Sequence, residues 1–237
     1  MFDCVILLTG PGEQALLSAR LAECRPGLTI LPAAGKADLL SVDRDTLAAS
    51  RLIAFTTSVI VPPAVLAALG YGAYNFHPGP PEYPGLSPAQ FALYEGAQTF
   101  GATVHRMVAS VDAGPIVAIS RFGVPAATTL YSLEVATFQH LARLFWTLAP
   151  ALVEDAPLHE SDLEWGARKS TRRSTEAMCD IPLDIGAGEL HRRVAAFARS
   201  PFGLTPTVTL HGYRFRLALE EADPELRTEN TAVPSAA

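Results

Sequence analysis

Residues 4–9, CVILLT, form an unbroken apolar run. A strand with one wet face alternates apolar and polar residues, so a run without alternation fits a strand covered on both faces. That demand points to a parallel sheet held between helices. The pattern then recurs along the first third of the chain. Ala15, Leu16, Ala19, Leu21 and Ala22 follow at near-helical spacing within 12–24, and LTILP (28–32) reads as a second strand. Residues 34–49 read as a loop and a short helix. RLIAFTT (51–57) is a third strand, PPAVLAAL (62–69) a helix opened by proline, and GAYNF (72–76) a fourth strand. The fold class expected is therefore α/β: a Rossmann-like, mostly parallel sheet with helices on both faces.

Later segments modify that plan. Ser87 is placed to cap a helix with Pro88 at its first position, running to about Glu95 and stopping at Gly96. GATVHRMV (101–108) and GPIVAISRFGV (114–124) are strands joined by a turn too short for a helix, which predicts an appended antiparallel pair. Thr128 or Thr129 starts a long helix whose Leu130, Leu133, Leu141, Leu144, Phe145 and Leu148 share one face. Composition shifts near residue 150. Residues 165–199 carry seven Lys/Arg against four acids, a helix over 187–199 is predicted to bury Leu190, Val194 and Phe197, and TVTLHGYRFRLAL reads as a hairpin turning at His211-Gly212. The organisation predicted is a catalytic domain over 1–150, a helix-and-hairpin extension over 151–221, and a mobile tail over 222–237.

GPGEQA (10–15) matches a dinucleotide fingerprint, G-x-G-x-x-A. Pro11 removes an N–H from the loop that should cradle pyrophosphate, and Pro32, Ala33 and Ala34 stand where the ribose-binding acid belongs. The run reads as a tight strand-to-helix turn. The formal charge of −6 argues against a large nucleic-acid surface. Cys4, Cys24 and Cys179 form no CxxC pair, which fits a reduced compartment and neither a disulfide framework nor a zinc site. The first residues read as a strand, not a signal peptide. The apolar span from Leu52 to Leu69 is too interrupted to cross a bilayer. A soluble cytoplasmic protein is expected.

Chemistry concentrates in NFHPGPPEYPG (75–85). Residues two apart on a strand point the same way, so Asn75 and His77 project together from the carboxyl end of a predicted parallel strand. An amide beside an imidazole there could polarise a carbonyl and hold an oxyanion; equally, the pair could serve only a turn. Asp112, in VDAGP, lies in a turn flanking the same crevice and could orient His77 and accept a proton, or be an ordinary turn aspartate. His105 shares a strand face with Thr103 and Met107 and reads as satisfied locally, and His140 as reaching the surface of the long helix. Trp165 packs the extension onto the core or borders an acceptor pocket.

The ordered set N-x-H-P, Y-P-G, F-G-A-T-V-H-R-M and V-D-A-G-P-I-V resembles the formyltransferases that use 10-formyltetrahydrofolate, most clearly from Ile53 to Ile119. LHRRVAAFARSPFG (190–203) resembles the segment after their catalytic domain. The resemblance implies catalytic roles for Asn75, His77 and Asp112, with an oxyanion held by Asn75 and protonated His77. It implies 10-formyltetrahydrofolate as co-substrate, near Ser58, Val59, Ile60, Val61, Gly79, Pro80, Pro81 and Thr103, with no metal. The acidic balance and the short C-terminal region favour a small amine or amino-sugar acceptor over tRNA, with the local +3 of residues 165–199 leaving tRNA open. A hydrolase releasing formate and a non-catalytic folate- or partner-binding relative are the alternatives. The sequence departs from the family after His77, where Gly79-Pro80-Pro81-Glu82 stands for the usual S-L-L-P, and the chain before Asn75 is shorter than usual.

Overall fold

A computed structural model of the chain describes residues 2–199 and 203–218. A six-stranded sheet runs in the order β2 (Thr29–Ala33), β1 (Cys4–Leu8), β3 (Ser50–Phe55), β4 (Ala73–His77), β5 (Thr99–Arg106) and β6 (Ile116–Gly123). The first four strands pair parallel and the last two pair antiparallel. β1 and β3 are buried along their whole length, as their lack of alternation requires.

Alternate residues along each strand feed two cores. Val5, Leu7, Ile53, Phe55, Tyr74 and Phe76 pack under α1 (Pro11–Cys24) and α6 (Leu130–Leu152). Ile6, Leu8, Leu52, Ala54 and Ala73 face the other way, against α2 (Lys36–Ser41), α3 (Arg44–Ala48) and α4 (Pro63–Ala68). The apolar stripe of α6 accounts for its placement. Phe145 is fully buried and meets Phe55 edge-on at 5.8 Å and Phe76 at 5.3 Å. The Thr129 hydroxyl caps this helix by accepting from the Ser132 N–H.

α5 (Pro88–Glu95) has the predicted bounds but a different start. Ser87 is left-handed, at φ 61°, and its side chain makes no capping bond. The Gly85–Ser87 segment instead bonds sideways to Ser170, where Gly85 and Ser170 form a parallel bridge. The C-terminal part contains α7 (Arg172–Cys179), α8 (Ala187–Phe197) and a three-stranded sheet of β7 (Asp180–Ile181), β8 (Thr207–Leu210) and β9 (Tyr213–Arg216). The hairpin turns at His211 and Gly212, both at positive φ. Phe197 is buried against Phe91 of α5, whereas Leu190, expected inside, is 37% exposed. The proposed tail at 222–237 lies outside the described residues. No helix among the described residues is long and apolar enough to cross a membrane.

Candidate active site

β4 and β5 build the site through their register. Asn75 is paired with His105 and His77 with Thr103. Directly opposed residues in an antiparallel pair point to the same face. All four side chains therefore leave the sheet on the face that, farther along, packs against α4. Here no helix covers them. The proline loop and the segment from Ser161 to Thr171 close over them instead.

Asp112 completes the group. The β5–β6 register shifts at Val104/His105, and the following loop carries Asp112 back at φ 42°. Its Oδ2 accepts from the Gly85 N–H at 2.8 Å and lies 3.4 Å from His77 Nδ1. Its Oδ1 lies 3.2 Å from His105 Nε2. Asn75 Nδ2 is 3.1 Å from the same His105 nitrogen, and His77 Nε2 donates to the Tyr83 carbonyl at 3.1 Å. Trp165 donates its indole N–H to the Gly114 carbonyl at 2.8 Å and sets its ring across His77 and His105, at centroid distances of 5.7 and 5.0 Å.

His77, His105 and Asp112 are all buried, and burial dominates their electrostatics. It pushes His77 below the ordinary imidazole value; the Asp112 charge opposes that shift and His105 adds to it. Burial alone would raise the Asp112 carboxyl, but the His105 hydrogen bond, the two imidazole charges and the Gly85 N–H together hold it at about 2. The two shifts conflict in part, because a neutral His77 lends Asp112 no charge. The hydrogen bonds from His105 and Gly85 are the firmer cause. Burial thus favours the neutral His77 ring in the resting site.

Both shifts link stability to pH in the same sense. Unfolded His77 takes a proton near 6.5, and the folded ring only at lower pH. Unfolded Asp112 titrates near 3.8 and the folded group near 2. In each case the unfolded chain binds more protons within the window, so acidification destabilises the fold. Urea midpoints will fall as pH drops below about 6.5, and again between about 4 and 2. His77→Gln should flatten the upper part of that decline. A midpoint unchanged from neutrality to about pH 5 would contradict the assignment.

These side chains open into a cavity of about 820 Å³, within the range of small-molecule sites. Val59, Ile60, Val61, Leu66 and Phe138 give it an apolar side; Lys169 and Arg172 stand on its rim. Ser58, Val59, Ile60 and Val61 line it. Gly79, Pro80, Pro81 and Thr103 do not. They lie behind His77, buried, and the Thr103 hydroxyl donates to the Gly79 carbonyl at 2.7 Å. Their place is under the imidazole, because the chain turns sharply after β4 and packs onto β5. A Cβ added at Gly79 would stand 2.7 Å from Pro88 Cβ and 2.8 Å from His77 Nε2. Gly79→Ala should therefore displace His77 and cost about 1–3 kcal/mol, read as a lower urea midpoint; a wild-type midpoint would refute the crowding.

Several contributors had weak sequence signals. His105 was predicted to be satisfied locally, yet it touches Asn75 and Asp112; the T-x-H alternation opposite N-x-H was the available clue. Trp165 was read as packing the extension onto the core or bordering an acceptor pocket; Lys169 and Ser170 carried no signal. Lys169 binds the Val111 carbonyl and the Ser110 hydroxyl, so it fastens the loop that carries Asp112. His140, expected at the surface, is half-buried, 2.7 Å from the Ser120 hydroxyl and stacked on Phe122. A second cleft of about 840 Å³, lined by Arg172, Arg173, Arg214 and Arg216, lies between α7 and the hairpin and contains none of the catalytic candidates.

An open α/β sheet with an amide, two imidazoles and a carboxylate at the end of a central strand defines a class of site suited to reactions at a carbonyl. The comparisons narrow the class. Residues 43–145 match the formyl transferase family. It is 30% identical to a methionyl-tRNA formyltransferase of Chlorobium phaeovibrioides over 74% of this chain and 54% of the relative. It thus spans about half the length of that relative. In structure it is similar to a sugar N-formyltransferase from a Shewanella species, with a TM-score of 0.76 and 18% identity, covering 92% of this chain and 97% of the other. A Helicobacter canadensis N-formyltransferase in complex with folinic acid and dTDP-3-aminofucose aligns with a TM-score of 0.63 and 12% identity, covering 90% of this chain and 85% of the other.

Proposed function

We propose that this chain transfers a formyl group from 10-formyltetrahydrofolate to the amine of a small acceptor, an amino sugar in particular. One observation carries the reading: Asn75, His77 and Asp112, from three separate stretches of sequence, meet in one buried cluster at the floor of a cavity. The donor fits the rest of the cavity. Its flat pterin suits the apolar side, and residues 58–61 belong to no helix or strand, which leaves backbone groups for the ring edge. The Helicobacter protein's folinic acid supports a folate donor, and its dTDP-3-aminofucose supports a sugar acceptor.

In this mechanism the acceptor nitrogen attacks the formyl carbon. The carbonyl becomes an oxyanion that the Asn75 amide holds, and developing negative charge also draws a proton onto His77. The new C–N bond forms as the bond to N10 breaks. The amine loses one proton and N10 gains one, so a single relay through Asp112 and His77 balances the step. The test mixes the protein with 10-formyltetrahydrofolate and a panel of amines, and follows tetrahydrofolate by absorbance and the amide by mass. Amine-dependent product is expected. Formate released equally without amine would replace the transferase reading with the hydrolase; neither product with any amine would end both.

A further inference from the structure

An amine acceptor brings one proton too many for the catalytic cluster. In neutral water an alkylamine or amino sugar is an ammonium, and it must shed a proton before its nitrogen can attack. The relay through Asp112 and His77 carries only the second proton, the one that ends on N10. Two carboxylates line the cavity, Asp112 and Glu134. Asp112 is engaged by His77, His105 and the Gly85 N–H. Glu134, near the start of α6, is not engaged in this way. Among the described residues its side chain has one hydrogen-bond partner, Gln90 Nε2 at a loose 3.4 Å, and no Lys, Arg or His pairs with it. The two cations of the cavity rim are held elsewhere, Arg172 by Glu176 at 2.9 Å and Lys169 by Val111 and Ser110.

The place of Glu134 in the cavity suits an acceptor. Val59, Val61, Leu66 and Met107, on the side proposed for the pterin, belong to the core under α4. Glu134, Thr137 and Phe138 come from α6, on the opposite face of the sheet, where Phe138 meets Phe55 edge-on at 5.8 Å. The donor wall and the carboxylate therefore flank the crevice from opposite sides. The α5 and α6 wall also adjoins the reacting groups. Pro88, at the head of the helix that carries Gln90, lines the cavity, and a Cβ on Gly79 would stand 2.7 Å from Pro88 Cβ and 2.8 Å from His77 Nε2. Gln90 is 2% exposed, so the amide beside Glu134 is fixed in place. Glu134 itself is open to solvent, yet enough protein surrounds it that burial raises its carboxyl above the ordinary value, against the Gln90 bond that lowers it. Its charge is short of compensation, and an incoming ammonium supplies it.

We propose that Glu134 is the acceptor-binding carboxylate of the site: it pairs with the ammonium that enters from water and takes the proton that must leave before attack. In that step R–NH3+ and the carboxylate become R–NH2 and the carboxylic acid, whose proton returns to water. One N–H proton of the amine then follows the Asp112–His77 relay to N10. The ligand class is a basic primary amine, amino sugars included. The role in turnover rests on the formyl-transfer reading; capture of an ammonium does not. Carbon-13 NMR of glutamate-labelled protein tests the capture at about pH 7, where such amines are charged. The Glu134 carboxyl resonance is assigned by its loss in Glu134→Gln. D-glucosamine should move it saturably, and N-acetyl-D-glucosamine, which lacks the charge, should not. Movement by both alike, or by neither, overturns the proposal. In turnover, Glu134→Gln should lower kcat/KM for the best amine of the panel about 10–100-fold, with the donor KM and the melting temperature unchanged. A raised donor KM instead would give Glu134 to the pterin, and an unchanged kcat/KM would leave the carboxylate idle; either refutes the role. A wild-type protein that formylates no amine would defeat the functional reading and leave the carboxyl titration to decide whether this site binds an ammonium.

Discussion

Under the proposed formyl transfer, Asn75→Ala is expected to lower kcat by roughly 10²–10³-fold, equivalent to about 2.7–4 kcal/mol of barrier, and to change donor affinity little. The amide reaches full value only when the carbonyl oxygen carries charge, so its loss falls on the transition state and not on binding. Asn75→Asp is the sharper probe. The carboxylate nearly matches the amide in shape but accepts where the amide donates, and it sets a second negative charge beside buried Asp112. It should lose at least as much as the alanine variant. Steady-state kinetics with saturating donor, beside a thermal melt showing both variants folded, decide the matter. A loss below about tenfold in both, with the melts intact, would remove Asn75 from the reaction.

The sheet was legible because its signals are local. CVILLT announces burial on both faces, and β1 is indeed buried at every position. The helix bounds near 11–24, 63–68 and 88–95 followed from spacing and from prolines and glycines at the ends. The catalytic candidates were legible through their types and order more than through geometry. What escaped depends on contacts between distant segments. Ser170, which bonds Pro84 and Leu86, has no local pattern announcing a bridge to Gly85. Trp165 came from a stretch that reads as an extension, yet it packs on both histidines. Gly79 and the prolines after it were cofactor candidates because the resembling family's loop after its histidine borders the folate site. The turn places them behind the ring instead, where a side chain would strike Pro88. Asp112 was recoverable as a residue, but its descent between two imidazoles needs the shift at Val104/His105, which nothing in V-H-R-M announces.

Arg51→Met will destabilise the chain by about 3–5 kcal/mol, the cost typical of breaking a buried charged network from one side. Arg51 opens RLIAF, a run that reads simply as a strand, yet its side chain is 0% exposed. Its guanidinium lies over the rings of Phe2 and Tyr74, at 5.1 and 5.5 Å. Its Nε donates to the Tyr71 carbonyl at 3.0 Å. Nη1 donates to the carbonyls of Leu152 and Glu154, each at 2.8 Å, and Nη2 to that of Ala156 at 2.9 Å. Those acceptors lie at and just beyond the C-terminus of α6, where helix carbonyls lack partners and carry the negative end of the dipole. The charge is thus compensated by oriented carbonyls and not by an ion pair. Methionine fills much of the volume but donates nothing, so several buried carbonyls lose a charged partner. Arg51→Lys should recover part of the loss, because an ammonium has three donors and no planar fork to span both the helix end and Tyr71. At about 2–4 °C per kcal/mol for a chain of this size, the methionine variant should melt roughly 6–20 °C lower. The α6 end lies on the sheet face opposite the catalytic cluster, so any protein that stays folded should keep its kcat. A methionine variant within about 1 kcal/mol of wild type in urea would show that the carbonyls find other partners and that Arg51 does not anchor the helix.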